Sequence, residues 1–416
     1  MSGVVIVGAC QAGMQTAASL REHGYSEAIT LIGEEQHLPY QRPPLSKGFV
    51  TGRTTVDQLA LRVESFYTER DIEVITGDRI VEIDRSARSA VGHLGRRYPF
   101  EHLVLTTGSH PRPFPGPGAR LRNVLTLRSV EDAVAIATSF NGVEDVVVLG
   151  GGFIGLELAA TAAALGKTVT LVEATAGLMG RAVSPRVADF FLRQHRARGV
   201  DVRLNSSVSE IIEGTPGEAG GVLLTTGESI PASLIVVGIG AVPTTDLGVD
   251  LGLGMGLGIL VDEFAQTTQP NVLAAGDCAQ HRDLAGHSRV LTSVQNAIDQ
   301  ATVAARTITG DLSRPYDAVP WFWSDQYDLK LQMAGLAQDH DEVVLRGDPE
   351  AGGFSLLYLR DGRLVWAESV SKPGEHVVAR RLISAGSAVD PNLLADTTVR
   401  MQDAVIENSE MASTVE

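Results

Sequence analysis

The sequence predicts an α/β chain with two Rossmann-like dinucleotide-binding domains followed by a separate C-terminal α+β domain. Three observations predict it. A strand, glycine turn, helix and second strand occur in that order twice; glycine, at 44 residues, gathers beside apolar β-branched runs instead of in linkers; and after about Pro320 the pattern changes to short strands with one late helix. The 416 residues suffice for such a plan at roughly 150 residues per domain.

In the first unit Val4 to Val7 reads as a buried parallel strand, residues 11 to 23 as a helix and Ala28 to Ile32 as the next strand. The turn between them is Gly8-Ala9-Cys10-Gln11-Ala12-Gly13, with cysteine where a GxGxxG loop has its middle glycine. A side chain there narrows the backbone's approach to a pyrophosphate, so Cys10 is expected to shift the loop or weaken the site. A reactive role at the helix start is weighed against plain tolerated substitution. Glu34, just past the second strand, is this unit's candidate for the ribose hydroxyls.

The second unit runs from Val146–Leu149 through Gly150-x-Gly152-x-x-Gly155 and a helix to Leu165, then to a strand over Thr168–Val172. Its glycines permit a tight turn, close backbone approach to pyrophosphate and close helix–strand packing. Glu173, eighteen residues beyond Gly155, suits a ribose 2′-hydroxyl and repels a 2′-phosphate; with no arginine before Arg181, the reading is NADH over NADPH. The apolar run Val148–Gly166 is nearly long enough for a membrane span, but its regular glycines and Glu157 argue for strand, turn and helix.

Three further apolar strands end in glycine: Leu103–Leu105 before Thr106-Thr107-Gly108, Leu234–Val237 before Gly238, and Val272–Ala275 before Gly276-Asp277. Strand ends hold ligands in open α/β sheets, and Asp277 is expected between such an end and a following helix. The C-terminal strands are expected at Leu331–Leu336, Glu342–Arg346, Phe354–Arg360 and Arg363–Val370, with a helix from Glu375 to Ala385 and a loose tail at 403–416. Thirty-four basic against fifty acidic residues give a net charge of −16, which disfavours nucleic acid and anionic membranes as partners. Two cysteines, Cys10 and Cys278, make no disulfide framework, and without a signal-peptide pattern the expected compartment is the cytoplasm.

The two units, the run Leu38-Pro-Tyr-Gln-Arg-Pro-Pro-Leu-Ser-Lys47, the Thr107-Gly108 strand end, Asn271-Val-Leu-Ala-Ala-Gly-Asp277 and Pro320-Trp-Phe-Trp-Ser-Asp-Gln-Tyr327 together resemble the FAD-dependent, NADH-oxidising ferredoxin reductases of bacterial oxygenase systems, the putidaredoxin reductase type. The resemblance spans residues 2 to about 402. It implies a glutathione-reductase-like plan: an FAD domain from 1–113 and 245–319, an NADH domain at 114–244 and a C-terminal domain at 320–402. It implies FAD as cofactor, NADH as substrate and a small two-iron two-sulfur ferredoxin as partner, feeding a haem-thiolate monooxygenase or a Rieske dioxygenase.

Carried over residue by residue, the resemblance assigns FAD contacts to Ala12, Glu34, Lys47, Ile80, Arg128, Asp277 and Val294. Gly8, Gly13, Thr107 and Gly108 join the cofactor-binding set, as do Gly150, Gly152, Ile154, Gly155, Glu173 and Gly240. Lys47 and Glu157 are implied beside the flavin's reactive edge, where a lysine stabilises negative charge and a carboxylate holds the lysine and the nicotinamide amide. Trp323, with Trp321, is implied in shaping the route by which single electrons leave. Taken alone, Lys47 reads as a loop lysine, Glu157 as a buried acid wanting a partner, and Ile80 and Val294 as core.

Disulfide reductases share the two-domain plan but need a cysteine pair soon after the first unit, and His37 to Val50 holds no cysteine for a flavin peroxidase. Rubredoxin reductases stay open as an alternative, as does an NADH-sensing flavoprotein resembling apoptosis-inducing factor. An acidic ferredoxin would be repelled by a chain at −16, so a local basic patch is expected, with Arg289, Arg380 and Arg381 in segments able to form it. Oligomeric state and flavin potential are not legible.

Overall fold

The computed structural model describes residues 3–180, 182–282, 288–337 and 339–406, in two compact units. The first takes the described residues of Met1–Arg42, Thr55–His110 and Ala241–Ala318; the second takes those of Pro43–Thr54, Pro111–Gly240 and Val319–Glu416.

The first unit is organised by the strand Gly3–Val7, whose alternate residues serve two cores. Val5 and Val7 join Ile32, Leu103, Leu105 and Ala274 on one face, while Val4 and Ile6 join Met14, Leu20, Leu31 and Val104 on the other. A strand buried on both faces reads as a continuous apolar run, which is why Val-Val-Ile-Val is legible as central. Around it the sheet order is Ile72–Ile75, Ile29–Ile32, Gly3–Val7, Arg97–Leu105, Ser89–Gly92 and Ile80–Asp84, with Val272–Ala274 also paired to Arg97–Leu105. The parallel register sets Val5 against both Thr30 and Leu103, which brings the strand ends after Val7, Ile32 and Leu105 to one edge. The helix Gln11–Glu22 packs its Ala17 and Ala18 with Ala304 and Ala305 of the helix Val294–Ile308, small residues that permit close approach.

One expectation fails here. Among the described residues no helix lies between Asp277 and Val294, where the next one begins; Ala279–Arg282 is a strand, paired in parallel with Ile259–Val261. Long-range pairing overrides the local turn-then-helix pattern.

In the second unit a parallel sheet runs Asp201–Arg203, Thr168–Val172, Asp145–Leu149, Leu234–Val237 and Val124–Leu125. The helix Phe153–Ala164 follows Asp145–Leu149, and the short 3-10 turn Pro43–Ser46 is tied to it where Thr161 Oγ1 donates to the Ser46 carbonyl at 2.8 Å. A five-stranded antiparallel sheet follows, ordered Trp321–Gln326, Leu329–Gly335, Arg363–Val370, Gly353–Arg360 and Glu342–Asp348, with the helix Pro373–Ala385 packed against it. Pro373 at the helix start costs no hydrogen bond because that amide would be unpaired anyway. Glu368 joins this sheet to the segment before the helix Pro185–Ala197: its carboxylate accepts from Ser184 N at 2.7 Å, Ser184 Oγ at 2.5 Å and the Tyr358 hydroxyl at 2.6 Å. Burial pushes Glu368 above its ordinary value against those donors.

The strand Trp321–Gln326 was not foreseen from the sequence; the turn Met401–Ala404 buries Met401 and Ala404, and Ile406 N donates to the Ala388 carbonyl at 2.9 Å, so the backbone is held through 406; 407–416 lie outside the described residues, as does Arg181. Among the described residues no helix is long and apolar enough to cross a membrane.

Candidate functional site

The first glycine loop closes tightly on the neighbouring strand. Gly8 has φ +117°, and a Cβ on it would lie 2.2 Å from the Thr106 carbonyl oxygen; a Cβ on Gly13 would lie 2.1 Å from the Gly8 carbonyl oxygen. Both positions therefore need glycine. Cys10, by contrast, has ordinary extended backbone at the N-cap of Gln11–Glu22. Its Sγ donates to the Thr106 carbonyl at 3.1 Å and rests against the cluster of Ala12, Ala275, Ala297 and Ala301. The thiol is thus turned onto the strand end.

Other candidates line the same edge. Thr107 Oγ1 donates to the Thr244 carbonyl at 2.5 Å, and Asp277 Oδ2 accepts from Ser109 Oγ at 2.8 Å. The Gly108 carbonyl accepts from Thr244 N at 2.9 Å, Val294 begins its helix half-buried, and Ile80 is a core residue packed with Ile83, Ala90 and Tyr98. Glu34 is 65% exposed, with Arg79 Nε 3.9 Å away.

Beside it lies a residue the sequence does not mark. Arg42 donates to Glu35 Oε1 at 2.5 Å and to the Tyr40 hydroxyl at 2.9 Å, and that hydroxyl donates to Glu35 Oε2 at 2.5 Å. Burial pushes the Arg42 guanidinium down, but Tyr40, Glu35 and the nearby Cys10 together push it further up, so it is a fixed cation close to the glycine loop. The available signal was Glu35 seven residues upstream in a turn stiffened by Pro43-Pro44. The helix Gln11–Glu22 has no side-chain N-cap bond, and uncapped amides near a half-buried arginine suit a dinucleotide pyrophosphate. FAD fits these residues.

The second loop repeats the first without the cysteine. Gly150 has φ +102°, with a hypothetical Cβ 2.4 Å from the Gly238 carbonyl oxygen, and a Cβ on Gly155 would lie 2.1 Å from that of Gly150. At Gly152, the N-cap of Phe153–Ala164, a Cβ would meet nothing within 4 Å, so the space in front of the helix amides is open. Glu173 is already oriented: Oε2 accepts from Gly151 N at 2.7 Å, and Oε1 accepts from Thr175 N at 2.8 Å and Thr175 Oγ1 at 2.6 Å. Ile154 is 43% exposed on the first helical turn, and Gly240, φ +107°, accepts from Arg112 N at 2.9 Å. Arg128 precedes the capping box of Val130–Phe140, its backbone N donating to Asp132 Oδ2 at 2.8 Å.

Lys47 and Glu157, 110 residues apart in sequence, meet in this unit, with Lys47 Nζ 2.8 Å from Glu157 Oε2. Glu157 is 4% exposed and accepts three further bonds: Ser46 Oγ at 2.5 Å, Ser324 Oγ at 2.8 Å and Asp325 N at 3.3 Å. Helix, 3-10 turn and C-terminal strand thus converge on one carboxylate. Residues of Trp321–Gln326 alternate: Phe322 packs on Phe153 at 4.6 Å and Ser324 reaches Glu157, while the Trp321 and Trp323 rings meet at 5.5 Å, tilted by 33°, and Trp321 also meets His376 at 5.5 Å and the Arg380 guanidinium at 4.6 Å.

Neither cysteine is disulfide-bonded; Cys278 is buried, which pushes its thiol up to about 11, and no group of His, Cys, Asp and Glu among the described residues could hold a metal.

Residues 2–301 match the family model of the pyridine nucleotide-disulphide oxidoreductases, and residues 321–405 match that of the reductase C-terminal domain. The chain is 41% identical to rhodocoxin reductase of Rhodococcus erythropolis over 409 residues, 98% of this chain and 95% of that one. Among solved structures it is similar to a ferredoxin reductase from Rhodopseudomonas palustris, with TM-score 0.93 and 38% identity over 98% of this chain and 100% of that one. It is also similar to putidaredoxin reductase in its covalent complex with putidaredoxin, with TM-score 0.92 and 35% identity over 97% of this chain and 98% of that one.

Proposed function

This chain belongs to the pyridine nucleotide-disulphide oxidoreductase family, and on that footing we propose that it is a flavoprotein reductase carrying electrons from NADH through FAD to a small two-iron two-sulfur ferredoxin that serves an oxygenase. The observation that carries this reading is a pair of dinucleotide cradles in a chain whose two cysteines form no redox pair. Two nucleotides suit a donor and a resident cofactor, and without paired thiols the electrons must pass to another molecule.

FAD, when bound, supplies the change from two-electron to one-electron chemistry that a nicotinamide cannot make. The residues supply the rest. Glu173, held by Gly151 and Thr175, reads the adenosine ribose of NADH and rejects a 2′-phosphate. The open helix amides behind Gly152 receive the pyrophosphate of NADH, and Arg42 with the amides after Cys10 receives that of FAD. Asp277, Thr107 and Gly108 contribute polar contacts at the strand ends of the first cradle. Lys47 provides a positive charge for the negative charge that develops on reduction, and Glu157 limits where its ammonium group can go.

On the C-terminal domain, Arg380 over Trp321 and the adjacent Arg381 are the proposed docking residues for an acidic ferredoxin, offsetting the net charge of −16. The proposed compartment is the cytoplasm, where NADH is available. The test is steady-state cytochrome c reduction by purified holoenzyme and NADH, with a two-iron two-sulfur ferredoxin or a rubredoxin added. Turnover that depends on the ferredoxin and weakens as salt rises is expected. Turnover with rubredoxin alone, or none with either carrier, contradicts the proposal.

A further inference from the structure

One face of Trp321–Gln326 carries polar side chains that the reaction outlined above does not use. Ser324, Gln326 and, from the helix Pro185–Ala197, His195 are all fully buried. Their hydrogen bonds run in one direction. Gln326 presents Oε1 to His195 Nε2 at 2.9 Å, so Nε2 carries the hydrogen and Nδ1 accepts from the Tyr327 hydroxyl at 3.1 Å. Burial pushes His195 below its ordinary value, which keeps the ring neutral and this tautomer in place. With Oε1 committed to His195, Gln326 Nε2 donates to Ser324 Oγ at 3.2 Å, and Ser324 Oγ donates in turn to Glu157 Oε1 at 2.8 Å.

We propose that Ser324, Gln326 and His195 are positioning residues: their one-way chain locks the Ser324 hydroxyl as a donor to Glu157 Oε1, leaving Oε2 to hold Lys47. This rests on the reading that Lys47 and Glu157 serve the flavin. A serine hydroxyl that already receives a bond from Gln326 turns its own hydrogen to the carboxylate, and that hydrogen offsets part of the carboxylate's negative charge. Without it the surroundings of the flavin become more negative and reduction is disfavoured.

The test is Ser324→Ala in holoenzyme of normal flavin content. Two quantities are read: the two-electron midpoint potential, by dye equilibration without NADH, and the rate of flavin reduction at saturating NADH, by stopped flow. The expected results are a potential about 30 mV more negative, the equivalent of a tenfold change in a two-electron equilibrium, and a roughly tenfold slower reduction. Ser324→Thr restores both, and in a Glu157→Gln background Ser324→Ala has no further effect on either. Wild-type potential and rate in Ser324→Ala, or effects that add to those of Glu157→Gln, overturn the proposal. If Ser324→Ala does not retain FAD, Gln326→Leu is read the same way, with a shift of the same sign expected and an unchanged potential as the overturning result. A wild-type enzyme that NADH does not reduce refutes the functional reading instead, and the dye-measured potential still tests the chain.

Discussion

His376 is expected to weaken the C-terminal domain as pH falls. It is 2% exposed, its ring tilted against that of Trp321, and neither ring nitrogen has a hydrogen-bond partner among the described residues. Burial first, and then the Arg380 charge, push it down from 6.5 to about 4. The fold thus accepts the neutral ring, and its stability is fully present above the unfolded value and is lost as pH falls from 6.5 toward about 4. That gap corresponds to roughly 3 kcal/mol, of which roughly 2 kcal/mol is gone by about pH 5. His376→Phe keeps an aromatic ring and deletes both unpartnered nitrogens, so it is expected to stabilise the domain by about 1 kcal/mol at pH 7 and to flatten its pH dependence. The chain's three tryptophans, Trp321, Trp323 and Trp366, all lie on the C-terminal sheet, so urea unfolding followed by tryptophan emission at pH 7 and pH 5 reports this domain. Equal loss of stability in wild type and variant between the two pH values, or a variant less stable at pH 7, refutes the reasoning.

Three further predictions concern the cradles. Glu173→Ala is expected to raise the KM for NADH about tenfold and to narrow the preference over NADPH, measured as kcat/KM for each. Cys10→Gly is expected to change FAD affinity by less than about threefold, because the thiol is turned onto Thr106; tenfold tighter binding in an apoprotein fluorescence titration would mean that the cysteine obstructs. Arg42→Ala, in the same titration, is expected to weaken FAD by about tenfold to a hundredfold, the loss of a charge-assisted contact, and unchanged affinity would remove Arg42 from the site.

The sequence was most informative where one local rule acted alone. Thr168–Val172 is a strand with the bounds its β-branched run suggests, and both glycine loops fold as their spacing implies because Gly8 and Gly150 have no room for a side chain. It was least informative where distant segments decide. Trp321–Gln326 hides its strand character because both of its faces are partly buried, one among aromatics and one in a polar network, so no apolar–polar alternation survives. The segment after Asp277 becomes a strand through its pairing with Ile259–Val261 on one side and Ser288–Arg289 on the other. The Lys47–Glu157 contact spans 110 residues and could be reached from sequence only by resemblance, while Arg42 is one of 34 basic residues until its bond to Glu35 is seen.

The most direct measurement of the central claim is an anaerobic titration of the purified protein with NADH, followed by optical spectra, and then addition of oxidised two-iron two-sulfur ferredoxin. The account predicts a bound flavin band that bleaches at one NADH per flavin, responds poorly to NADPH, and returns on addition of two ferredoxin equivalents. A protein without flavin, or a flavin that NADH reduces but that passes no electrons to the ferredoxin, would contradict it.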